Sequence, residues 1–196
     1  MVKRISFSRS RQFLPNNINR RDMEKLSYTN EDDKCYGATG MAIGIVVFDG
    51  EDKLAGVGLD ADPGDMMEMH SSFYFSGNPG LSAKSAWAEM RENFSLSVAM
   101  MISNVMCRRM VLDRTLVAPE VRQGLQDTVV EEGRDACSLE EDEVRRIFDK
   151  EYTYLFRVFN HQGVHRVAHE FADALKRRRH LSRLEVLEEL RALSSL

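Results

Sequence analysis

Apolar positions along this chain follow two different periods. From Ser82 to Val111, Ala83, Trp87, Met90, Phe94, Val98, Met101 and Val105 step by three or four, the period of one helix face. Ala99, Ile102 and Met106 add a second line that widens the stripe through the middle. The spacing predicts one long helix, a rod of about 45 Å. Near Val98–Ile102 it is apolar almost all round, so other elements must cover it.

Upstream the period shortens. MAIGIVVF (41–48) is a compact apolar run ending at the turn dipeptide Asp49-Gly50. In KLAGVGLD (53–60), Ala55, Val57 and Leu59 share one face, and Asp62-Pro63-Gly64-Asp65 forms a second turn. In 66–75, Met67, Met69, Phe73 and Phe75 oppose Glu68, His70 and Ser72. These three runs predict an antiparallel β-meander with one buried face. A helix over 38–48 is the competing reading, since Gly40, Ala42 and Gly44 blur the alternation.

Downstream the helical period returns. Pro119 opens one helix, which Gly133 is expected to end. Ser138 and Glu141 read as a capping box before a helix carrying Val144, Ile147, Phe148, Leu155, Val158 and Phe159. Gly163 marks a break, followed by a helix with Val167, Ala168, Phe171 and Leu175 inward. Ser182 and Glu185 form a second capping box, with Leu181 and Val186 as its hydrophobic staple. The predicted class is α+β, predominantly α. A three-stranded antiparallel β-meander (36–77) precedes a bundle of four to five helices (81–194) around the long central one. An N-terminal arm (1–35) completes a single domain of 196 residues.

Charge changes this picture little. The net charge is −4, which argues against a dedicated nucleic-acid protein. The charge alternates in blocks: residues 1–29 hold seven Lys/Arg against two Asp/Glu, and residues 30–79 hold two against ten. Cys35, Cys107 and Cys137 are few, odd in number and far apart, as reduced thiols of a cytoplasmic protein would be. MVKRISFSRSRQFLP has no apolar signal core, and the run Leu96–Ile102 is too short to span a bilayer, so no membrane association is expected.

Candidate chemistry is sparse. His161 and His165, four apart, are candidate metal ligands, with His169 one step further; polar-face histidines are the more ordinary reading. Lys176, Arg177, Arg178 and Arg179 form a candidate nucleic-acid contact, but they also suit a helix C-terminus, where the macrodipole favours cations. The acidic turn Asp60–Asp65 lacks the EF-hand register. No phosphate loop, no G-x-S-x-G and no H-E-x-x-H is present. Cys107 reads as a core thiol despite Arg108 and Arg109 beside it.

No catalytic residue, cofactor or metal follows from these motifs. The leading expectation is a non-enzymatic protein that binds a protein partner or itself through its helices, with Leu184, Leu187, Leu190 and Leu193 widening the last apolar face. Nucleic-acid binding through Lys176–Arg179 is the alternative, and a metal-dependent enzyme using His161 and His165 comes third. Any function of the long helix is expected at an uncovered end, where Met106 and Met110 meet Arg108, Arg109 and Arg114.

Overall fold

A computed structural model describes residues 27–74 and 82–195. Within them the chain is mostly helical, with one small antiparallel sheet. The helices are α1 (Glu31–Val47), α2 (Ala83–Met106), α3 (Pro119–Cys137), α4 (Glu141–Phe159), α5 (Gln162–Arg178) and α6 (Arg183–Glu189). The strands are β1 (Leu54–Gly58), β2 (Met67–Met69) and β3 (His180–Ser182). Most of the arm expected at 1–35, with its basic residues, lies outside the described residues; 31–35 is the first turn of α1.

The meander expected over 36–77 is not formed as such. Residues 41–48, expected as its first strand, belong mainly to α1. The Asn30 side chain caps this helix by accepting from the Asp33 amide at 2.8 Å, and Glu31, Asp32 and Asp33 suit the positive end of its dipole. Burial on nearly all sides removes the polar face, so no helical period survives in the sequence. Gly40 and Gly44 let α2 come close. A Cβ on Gly40 would lie 2.2 Å from the Ser103 carbonyl oxygen, and one on Gly44 would lie 2.6 Å from the Ser103 hydroxyl. Gly44 sits by Ala99 and Ser103, Gly40 by Ser103 and Cys107, and Asp33 by Arg108, so α1 and α2 run antiparallel.

The third strand comes from the far end of the chain. The sheet order is β2-β1-β3, and Val57 pairs with Met67 on one side and Leu181 on the other. β2 is shorter than the run 66–75 suggested, because residues 71–74 turn away after Met69.

The long helix stands as expected. The Ser82 hydroxyl caps it by accepting from the Ser85 amide at 3.2 Å, and a π-helical segment, Cys107–Leu112, continues it. Lys84–Leu112 is long and apolar enough to cross a bilayer by length and composition alone, and 67% of its apolar window is buried inside the protein. It packs against α1, α3 and α4.

Two helix boundaries differ from expectation. Gly133 does not end α3, which runs on to Cys137. A Cβ there would meet Val144 Cγ2 at 2.5 Å and Phe94 Cζ at 2.9 Å, so this glycine serves close packing. Ser138 closes α3 in a left-handed conformation (φ 51°) and so cannot cap α4. The second capping box does form: Glu185 accepts from the Ser182 amide at 2.9 Å and from its hydroxyl at 2.7 Å. Leu54, Val57, Leu59 and Met66 of the sheet region join Ile43, Ile102, Phe148 and Phe171 in one continuous buried cluster.

Candidate functional site

The three histidines go separate ways. His161 lies outside α5 as its N-cap, its Nδ1 accepting from the Gly163 amide at 3.2 Å. His165 pairs its Nε2 with the Phe159 carbonyl at 2.6 Å, and His169 Nδ1 meets the Tyr36 hydroxyl at 2.5 Å. α5 starts one residue after His161, and the rings of His161 and His165 are each engaged with a backbone group. Among the described residues no three His, Cys, Asp or Glu side chains converge as a metal site would need.

The basic run is largely taken up by carboxylates. Lys176 pairs with Asp32 at 2.7 Å, Arg178 with Glu185 at 3.1 Å, and Arg179 with Asp60 and with Glu31. Arg177 is exposed and makes no ion pair among the described residues. A cleft of about 300 Å³ beside Arg179, lined by Tyr28, Lys34 and Asp60, has its polar groups satisfied the same way, with Lys34 donating to the Ala61 carbonyl at 2.6 Å.

At the far end of α2, Met106, Met110 and Arg108 are buried, while Arg109 is half-buried and Arg114 exposed. The Arg108 guanidinium grips Asp33 with Nε–Oδ1 at 2.5 Å and Nη2–Oδ2 at 2.6 Å, and also donates to the Ser27 carbonyl. The Tyr28 ring lies 4.7 Å from the guanidinium carbon. Burial pulls the Asp33 carboxyl up, but hydrogen bonds from Arg108 and Thr29 outweigh it and hold the group below the usual range. All three cysteines are buried and free; burial pushes Cys35 up to about 11 and raises Cys107 and Cys137 too, so none is an activated thiolate. Just past the last helix Leu190 is buried, while Leu184 within it stands exposed at 77%.

One buried polar group is left unsatisfied inside a cleft. On α4 the buried side is Val144, Phe148, Glu151, Leu155 and Phe159, so a carboxyl occupies a core position at the helical step. Glu151 Oε1 accepts from the Ser95 hydroxyl of α2, while Oε2 is buried with no hydrogen-bond partner. Burial pushes this carboxyl up to about 8, against smaller opposing effects of Ser95 and Lys150. At neutral pH it is therefore mostly uncharged. Glu151 lines a cleft of about 520 Å³ between α2 and α4, with Trp87, Arg91 and Ser95 on one wall and Ile147 and Lys150 on the other. Trp87 is the chain's single tryptophan and is 43% exposed. The sequence did carry a signal for Glu151: it sits in register between Phe148 and Leu155, on the apolar stripe of a helix whose other acids lie outside that stripe.

Compared with known protein families, curated proteins and solved structures, the chain shows no match to any of them.

Proposed function

We propose that this is a small-molecule-binding protein, and that the cleft between α2 and α4 receives an aromatic ligand. The observation that carries this reading is the unpartnered Oε2 of Glu151, buried at the wall of a cleft whose other side presents Trp87. A buried polar atom without a partner costs about 1–3 kcal/mol, and of the three among the described residues, Ser103 Oγ, Arg183 Nε and Glu151 Oε2, only the last belongs to a residue lining this cleft. The volume, about 520 Å³, falls within the range of small-molecule pockets. An exposed tryptophan at the rim of such a cleft offers a flat face on which a ring can stack.

Calorimetric titration with naphthoate and its neutral isostere naphthamide tests the reading. The expected result is saturable binding with one site, weakened about tenfold by Trp87→Ala because the stacking face is gone. Absence of heat with both up to millimolar concentration, or an affinity indifferent to that substitution, would overturn it.

A further inference from the structure

The charges around the cleft narrow the chemistry of its ligand; this step rests on the reading of the cleft as a ligand site. Lys84, Arg91 and Lys150 line it and make no ion pair among the described residues, whereas Glu92 lies 3.5 Å from Lys53. These four side chains, with Glu151 itself, are the charged or titratable groups of the lining: Lys84, Arg91 and Glu92 from α2, Lys150 and Glu151 from α4. No residue of α3 or α5 contributes to it. Three cations without an ion pair among the described residues therefore line the same cleft as a carboxyl that carries a proton, with Lys150 the one that acts on it directly.

The hydrogen bonds place that proton. Oε1 already accepts from Ser95, so the free oxygen, Oε2, is the one to carry hydrogen and donate it. Oε2 is itself buried, so meeting a ligand takes a turn about the broad terminal torsion that gives up the Ser95 contact, offset by the new charge-assisted hydrogen bond. We propose that the cleft takes an aromatic oxyanion, of the arenecarboxylate type, together with a proton held on Glu151, whose Oε2–H donates to the ligand's oxygen while Lys84, Arg91 and Lys150 supply the countercharge. A hydrogen bond from a neutral acid to an oxyanion is of the strong, charge-assisted kind.

The pH dependence follows. Below about pH 8 Glu151 is neutral and donates. Above it, the ionised carboxylate has only lone pairs to offer and repels the anion, so binding requires uptake of one proton from solvent. Affinity falls with rising pH by the fraction of protein still protonated, about tenfold between pH 7 and pH 9.

Three isosteric probes separate this inference from the reading beneath it: naphthoate, naphthamide and naphthylmethylammonium, titrated by calorimetry into the full chain at pH 7 and pH 9. The expected result is naphthoate tightest at pH 7 and about tenfold weaker at pH 9, with the ammonium compound weakest at pH 7. Glu151→Gln keeps the shape and a permanent N–H donor, so its naphthoate affinity should be the same at both pH values. The wild-type pH profile stands as a test even if this variant fails to fold. If naphthoate binds equally at pH 7 and pH 9, or the ammonium compound binds as tightly, proton-linked oxyanion recognition is wrong and the aromatic cleft survives. If none of the three binds, both are wrong.

Discussion

Asp33 and Glu151 are both carboxyl groups removed from water, and their surroundings treat them oppositely. Asp33 has a guanidinium on both oxygens and the Thr29 amide and hydroxyl besides, so its charged form is the stable one. Glu151 has one serine hydroxyl and an empty second oxygen, so its neutral form is the stable one. Burial alone would raise both groups; the number and charge of the hydrogen-bond donors decide the sign. A satisfied buried charge fixes how elements meet, here α1 against α2. An unsatisfied neutral acid beside a cleft leaves a donor available. That contrast separates the structural polar site from the functional candidate.

The largest effect should come from turning the first kind of site into the second. Arg108→Ala leaves Asp33 buried without its guanidinium and should cost about 3–5 kcal/mol in denaturant unfolding. Replacing both partners by apolar residues, as in Arg108→Met with Asp33→Leu, should recover much of that loss. A single-variant cost under about 1 kcal/mol would mean that the pair is not what holds α1 to α2.

Next in size is the removal of the unsatisfied acid. The folded-state pKa of Glu151 is raised to about 8 from an ordinary 4.5, so the folded protein binds the extra proton between these values. The stability it contributes is full below pH 4.5 and is lost as pH rises through 8, by roughly 3 kcal/mol between pH 5 and pH 8. Asp33 has the opposite sign: its pKa is lowered, so its contribution is present above the ordinary carboxylate range and is lost on acidification. Glu151→Gln should therefore flatten the alkaline decline and leave the acid limb unchanged. Part of the decline should remain, because burial pushes Glu132 up to about 7. A decline unchanged in the variant would show that Glu151 is ionised at neutral pH after all.

Much of this architecture was legible before any coordinates, and what was missed has a common cause. α4, α5 and the first turns of α2 have one solvated side, so their apolar residues keep the helical step, and Pro119 and Ser182 mark helix starts as local chemistry requires. Over 41–48 the strand reading gives way to the competing helix reading: a helix buried on nearly all sides has no polar face, and its glycines, needed for contact with Ser103, look like those of a strand. β3 was not foreseen because three residues gain strand geometry only by pairing with β1, more than a hundred positions away. Ser138 satisfies a capping pattern, yet its backbone is used to end α3. The cleft needs α2 and α4 side by side, so sequence could mark Glu151 as out of place but could not supply Trp87 or the cations around it.

The smallest expected effect tests whether burial is what makes the Asp33 pair important. Arg146 and Asp142 form a comparable contact one helical turn apart on α4, with Nη2–Oδ2 at 2.8 Å, but their side chains are 72% and 77% exposed. Water screens the charges and the long side chain loses freedom in holding the geometry, so Arg146→Ala should cost only about 0.3–0.5 kcal/mol, less in high salt. The ion pairs of Arg178 and Arg179 are partly open to solvent and belong nearer this weak class than the Arg108 one. If Arg146→Ala proved as costly as Arg108→Ala in the same denaturant series, the number of ion pairs rather than their burial would govern stability, and the contrast between Asp33 and Glu151 would lose its basis.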